Sequence, residues 1–276
     1  MTSRKLGWVW LAAFALFGGV LVPLSLKAER QSHWFRNFDI AVIGSSLSYH
    51  AVPAYGAGRE SLLGDGRSHR RIAVPSISEE QSLLLLDRAI HDHVKLVLME
   101  ANPFIFQFAG LGDQRRCGQW FRPYLTWLKQ YQYDLVDTFR KTIGRPVRVG
   151  GVDEPANLSG GQHIDLSKIH LFYPLRFEGP CYPNRFESLV KTAKLNGTRV
   201  VLMIPPRSPA GEALLGKQAS DEVMSRAKQL ARRMGIEVLV PGGQWANNEF
   251  VDHAHVNSQG RAHFLVELRQ RGQDSR

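Results

Sequence analysis

Cysteine is almost missing from this 276-residue chain: there are two, Cys117 and Cys181, and no C-x-x-C pair. That excludes a zinc knuckle and a thioredoxin-like redox centre, and it leaves open whether the two cysteines meet in one disulfide. Internal repeats, low-complexity tracts and Gly/Ser/Pro linkers are also missing from the body, so nothing divides it. Nucleic acid is set aside as a partner, because no zinc-finger spacing, aromatic-interleaved basic helix or RNA-binding signature accompanies the formal charge of +10. The nearest thing to a metal-ligand set is His163, Asp165 and His170, in an irregular stretch without a fourth ligand, so neither metal nor cofactor is expected. With 43% hydrophobic and 22% charged residues, the composition is that of a folded globular protein. The basic residues gather in knots, among them Arg67, Arg70 and Arg71, Arg115 and Arg116, and Arg226, Lys228, Arg232 and Arg233. They read either as an uneven solvated surface or as an attraction for anionic lipid or an acidic glycan.

Charge is wholly absent from Leu6 to Leu26. At about 1.5 Å per residue this run makes a helix of roughly 31 Å, the thickness of a bilayer core. The candidate cleavage site at Ala28 is poor, with Lys27 and Leu26 before it, and Trp8 and Trp10 suit an interfacial belt. The expectation is an uncleaved signal anchor over residues 1–30, one transmembrane helix, followed by a single domain over 31–276. Basic residues stand on both flanks, so charge alone decides orientation weakly.

From Phe38 the chain alternates short apolar runs with helical patterns. Strands are expected at Asp39–Gly44, Arg71–Val74, Val94–Met99, Val147–Val152, Arg199–Ile204 and Glu237–Val240. Helices are expected at Glu79–His91, Trp120–Thr142, Asn184–Asn196, Ala213–Met234 and Gln259–Arg271. Nearly continuous apolar strands between helices indicate a doubly wound α/β fold whose parallel sheet is buried on both faces. The segment from Gly151 to Pro183, rich in Gly, Pro, His and Asp, reads as a functional lid or as a plain surface excursion.

In such sheets functional groups gather at the carboxyl ends of the strands. The first strand runs into Gly44-Ser45-Ser46-Leu47, where a Gly permits a tight turn and free backbone N–H groups suit an anion. Near the other end of the chain, Asp252 stands three residues before His255. One turn brings that carboxylate to Nδ1–H and leaves Nε2 to take a serine proton. Asn102, after the Val94–Met99 strand, either aims its NH₂ at a developing oxyanion or opens an Asn-Pro turn. Glu100 reads as a structural ion-pair partner. His253 has the wrong spacing from Asp252 for a one-turn return and reads as structural. Arg207, just past a strand end, either faces the cleft as a weak substrate-binding candidate or makes a surface salt bridge.

Gly44-Ser45-Ser46-Leu47, Asn102, and Asp252-x-x-His255 followed by Asn257 and Gly260 together resemble the SGNH (GDSL-type) hydrolase superfamily. Its first block is Gly-Asp-Ser-Leu, its third Gly-x-Asn-Asp and its fifth Asp-x-x-His. Here Ser45 replaces Asp, Glu100 replaces Gly and Pro103 replaces Asp, and Ser76 or Ser78 is the nearest counterpart of the second-block oxyanion donor. The Gly-Ser-Ser turn and the anchor look more like the branch holding the D-alanyl lipoteichoic acid transfer protein and the periplasmic partners of polysaccharide O-acetyltransferases.

The resemblance implies a flavodoxin-like sheet, with Ser46 as nucleophile, His255 as general base and Asp252 as its orienter. Asn102 and the Ser46 N–H would form the oxyanion hole. It also implies O-acyl, chiefly acetyl, transfer to a cell-envelope or exopolysaccharide glycan, with a membrane-bound O-acyltransferase as a possible acyl donor. The body would then stand on the extracytoplasmic side of the inner membrane. The alternatives are a carbohydrate esterase or deacetylase of the same fold, and a non-catalytic glycan-binding scaffold subunit of an export machine.

Overall fold

The computed structural model describes residues 34–74, 76–108 and 173–274, together with Gly7, Trp10 and Ala15. The rest of the expected anchor, the expected Trp120–Thr142 helix and Val147–Val152 strand, and Cys117, His163, Asp165 and His170 lie outside the described residues. Among the described residues no helix is long and apolar enough to cross a membrane.

The strands are β1 (Ile40–Gly44), β2 (Tyr55–Gly58), β3 (Gly66–Ala73), β4 (Leu96–Glu100), β5 (Phe106–Phe108), β6 (Leu175–Phe177), β7 (Arg199–Met203) and β8 (Glu237–Leu239). The main sheet has the order β2-β3-β1-β4-β7-β8. Every pairing in it is parallel except β2 with β3, while β5 and β6 form a separate antiparallel pair. Counting the parallel strands alone, the second and third in sequence flank the first, which is the flavodoxin-like order. The connections reverse direction between β1 and β4, so the carboxyl ends of those two strands form the switch point at which sheets of this kind place their functional groups.

Both faces of the central strands β1, β4 and β7 are apolar, as their runs of β-branched and aliphatic residues require. Ala41, Ile43, Val97, Met99, Val200 and Leu202 point to one core, and Ile40, Val42, Leu96, Leu98, Val201 and Met203 to the other. This is the period of 2 of a strand. The helices α2 (Glu79–His91), α4 (Pro183–Leu195) and α6 (Lys217–Met234) cover the first face through Leu83, Leu86, Phe186, Val190, Ala227 and Leu230. The second face is covered by α1 (Ser46–Ala51) and α7 (Ser258–Asp274), whose Phe264 and Leu268 are fully buried.

Two short helices complete the described elements, α3 (Asn102–Ile105) and α5 (Pro209–Leu215), with a 3₁₀ turn at Asn247–Glu249. The single helix expected over Ala213–Met234 is two, because Gly216 takes φ 81°, outside helical space, and α6 restarts after it. Helix α2 begins where expected: Ser78 accepts from the Gln81 N–H while the Gln81 side chain accepts from the Ser78 N–H, a reciprocal cap.

Strand β3 carries a fully buried histidine, His69, packed under Gly56 of β2. A Cβ on Gly56 would lie 2.8 Å from the imidazole and 2.5 Å from the Glu60 carbonyl, so only glycine fits over the ring. Burial pushes the His69 pKa down to about 4.

Candidate active site

Strand β1 ends at Gly44 because α1 must turn out of the sheet there. A Cβ on Gly44 would lie 2.0 Å from Ser48 Oγ and 2.7 Å from Glu100 Oε2, so the backbone passes where no side chain fits. Ser45 is the N-cap, its Oγ accepting from the Leu47 N–H at 3.2 Å, and Ser46 is the first helical residue. The Ser46 N–H therefore has no acceptor within α1. The far end of this one-and-a-half-turn helix is held by arginines. Arg71 donates to the carbonyls of Tyr49 and Val52 and lies over the Tyr49 ring, and Arg261 Nε donates to the His50 carbonyl at 2.8 Å. Cations on the last carbonyls stabilise a helix too short to hold itself.

Asp252 and His255 sit in a loop closed at its base by an antiparallel bridge between Phe250 and Val256. The Val251 N–H donates to the His255 carbonyl at 2.7 Å, and the Asn257 N–H to the Glu249 carbonyl at 2.9 Å. Ser208 reaches in from the end of β7, donating to the His253 carbonyl through Oγ at 2.9 Å and through N at 3.1 Å. Gly211 and Gly260 let neighbouring helices approach this loop. A Cβ on either would lie 2.2 Å from a backbone carbonyl, of His253 and Glu249 respectively.

The two halves meet. Ser46 Oγ is 2.9 Å from His255 Nε2, and His255 Nδ1 is 2.7 Å from Asp252 Oδ2. Asp252 Oδ1 also accepts from the N–H groups of Ala254 at 2.9 Å and His255 at 2.8 Å. Burial pushes the Asp252 pKa up, but the His255 hydrogen bond and charge and these two N–H groups outweigh it. They hold the carboxyl well below the usual carboxylate range. An acceptor-only carboxylate at Nδ1 places the proton there and leaves Nε2 as acceptor for the serine hydroxyl.

His50 packs on His255 with ring centroids 4.8 Å apart. Burial, then the electrostatic influence of the neighbouring His255, pushes its pKa down to about 4. His253 is buried against Tyr173, with centroids 5.8 Å apart, and burial lowers its pKa.

Two expectations need correction. Among the described residues Glu100 makes hydrogen bonds and no ion pair. Buried to 1% exposure, it accepts from the Ser45 N–H at 2.8 Å, Ser45 Oγ at 2.8 and 2.9 Å, Ser48 Oγ at 2.8 Å and Asn102 Nδ2 at 3.1 Å. Ser78 is taken up by the α2 cap, while Ser76 is exposed at φ 52°. Of its two alternatives, Arg207 makes the salt bridge, to the partly exposed Glu212. Its side chain is 8% exposed, Nη1 is 3.3 Å from Glu212 Oε1, and the guanidinium lies 5.7 Å from the Phe106 ring centroid. Among the described residues, Asn102 Nδ2 gives one hydrogen to Glu100, leaving its second, while Oδ1 is buried without a partner.

The sequence reading missed Ser48, His50, Ser208 and Gly211. For His50 a signal existed: it stands four residues after Ser46, hence on the same face of a helix. A groove of about 620 Å³ lies elsewhere, at the amino ends of β4, β7 and β8, lined by Leu96, Arg199, Val201, Glu237 and Arg271. It does not include Ser46.

No protein-family model and no curated protein sequence matches the chain. Among solved structures it is similar to a Bacteroides fragilis protein described as an acylhydrolase, at 10% identity and a TM-score of 0.42, covering 90% of this chain and 94% of that one. It is also similar to a GDSL-like lipase from Bacteroides thetaiotaomicron, at 12% identity and a TM-score of 0.40, covering 86% and 88%.

Proposed function

We propose that this chain is a serine-dependent acyl-transfer enzyme, and that its reaction is O-acyl, chiefly acetyl, transfer to an envelope or exported glycan. The observation that carries the reading is the continuous hydrogen-bonded line Ser46–His255–Asp252 across 2.9 and 2.7 Å. Ser46 Oγ attacks the ester carbonyl as His255 Nε2 takes its proton, and Asp252 stabilises the imidazolium. The tetrahedral oxyanion is received by the Ser46 N–H and the free hydrogen of Asn102 Nδ2. Collapse breaks the ester bond, His255 protonates the departing alkoxide, and the acyl group stays on Ser46. A hydroxyl of the acceptor, deprotonated by His255, attacks the acyl carbonyl and frees the serine. Water in place of a sugar hydroxyl makes the same site an esterase or deacetylase.

Placement outside the cytoplasm, tethered by residues 1–30, belongs to the same proposal. Cys181 is disulfide-bonded, which suits an oxidising compartment. A membrane-bound O-acyltransferase would supply the acyl group, and Arg207 would border the acceptor side. The test is the acetate released by mild base from envelope polysaccharide of cells carrying Ser46→Ala with His255→Ala. The proposal expects its loss. Persistence at the wild-type level rejects the enzyme and favours a scaffold.

A further inference from the structure

We infer that Glu100 is the positioning residue of this site: a single buried carboxylate that ties the Ser46 turn to Asn102 and so sets both halves of the oxyanion hole. The inference rests on the serine-enzyme reading above and deepens it. Four donors from two elements converge on the carboxylate. From the turn between β1 and α1 come the Ser45 N–H at 2.8 Å, Ser45 Oγ at 2.8 Å and Ser48 Oγ at 2.8 Å, and from the end of β4 comes Asn102 Nδ2 at 3.1 Å. A carboxylate is acceptor-only, so it takes all four without conflict. The Ser45 peptide it holds is the one immediately before the Ser46 N–H. The Asn102 amide it holds keeps its other N–H turned away from Glu100. Loss of the tie frees both groups at once.

Ser45, in the turn after β1, and Glu100, at the end of the adjacent β4, face each other, so the carboxylate could be supplied from either position. The distances support such an exchange. Ser45 Oγ lies 2.8 and 2.9 Å from the two Glu100 oxygens, so an Asp side chain at 45 reaches the space that those oxygens fill. It can also keep the cap on Leu47, since Asp is as good an N-cap as Ser. With Glu100 present, the same Asp would set two carboxylates against each other.

The account therefore expects sign reversal in a mutant cycle, read as the maximal rate and half-saturation concentration of fluorophosphonate labelling of the full chain in detergent. Glu100→Gln puts an NH₂ against a donor whichever way it lies, and should lower the maximal rate about 100-fold with half-saturation unchanged, the scale of losing one oxyanion donor. Glu100→Gly and Ser45→Asp should each do likewise. The double variant Ser45→Asp, Glu100→Gly should return to within about 10-fold of the wild type. Melting temperatures separate positioning from folding. Recovery of the melting temperature without recovery of the rate makes Glu100 merely structural and overturns the inference. So does a wild-type rate in Glu100→Gln. An unlabelled wild-type chain instead removes the serine-enzyme reading, and this inference with it.

Discussion

His69 makes the fold acid-sensitive by an amount that can be worked out. Its imidazole is fully buried beneath Gly56, and its pKa falls from the ordinary 6.5 to about 4. Above pH 6.5 the ring is neutral whether the chain is folded or not, so it costs nothing. Below 6.5 the unfolded chain takes up a proton that the folded chain refuses, and stability falls until the pH passes the folded value near 4. Linkage puts the loss at roughly 2 kcal/mol at pH 5 and about 3 kcal/mol at the limit. Asp39 and Asp252 also have lowered values, but their stabilisation is lost only as the pH falls below the usual carboxylate range. His50 and His253 shift in the same direction as His69 and are common to wild type and variant. The assay is denaturant unfolding of wild type and His69→Phe at pH 7.5 and pH 5.0 in one ionic strength. The wild type should lose about 2 kcal/mol more than the variant between the two. Equal losses would show that His69 is solvated or accepts its proton in place, and would refute the reasoning.

Asp252→Asn keeps an acceptor for the Ala254 and His255 N–H groups but no longer fixes the proton on Nδ1, so phosphonate labelling should slow roughly 10³- to 10⁴-fold while melting changes little. A rate within tenfold of wild type would contradict the assigned tautomer. Gly260→Ala sets helix preference, worth up to about 1 kcal/mol in favour of Ala, against a Cβ 2.2 Å from the Glu249 carbonyl. The clash should win, with a net loss of about 1–3 kcal/mol in unfolding free energy, and a more stable variant would show that the loop yields freely.

The parallel sheet was legible because its central strands β1, β4 and β7 are nearly unbroken apolar runs, and helix Glu79–His91 because its cap and period agree. The serine turn and the Asp252–His255 pair were legible because each is local: a Gly before a helix start, and a carboxylate one turn from an imidazole. What could not be read depends on distant residues. Glu100 meets Ser45 across 55 positions and Ser208 meets His253 across 45, so neither bond leaves a spacing to recognise. Strand β2 contains two glycines in four residues and pairs only at an edge, which in sequence looks like a turn. The break at Gly216 was hidden because helical periodicity continues on both sides of it. Burial of His69 was equally hidden, since the basic run around it reads as solvent-facing until Gly56 closes over the ring.

Peptide mass mapping after fluorophosphonate treatment tests the central claim most directly, because it asks which oxygen the site activates. The 2.9 Å contact between His255 Nε2 and Ser46 Oγ predicts one adduct, carried by Ser46. Ser46→Ala and His255→Ala should each abolish it while the chain stays folded. His253→Ala should not. Ser45→Ala should slow it only in part, since its hydroxyl serves the Glu100 cluster and not the imidazole. An adduct on Ser45, or no adduct on a folded wild-type chain, would contradict the account.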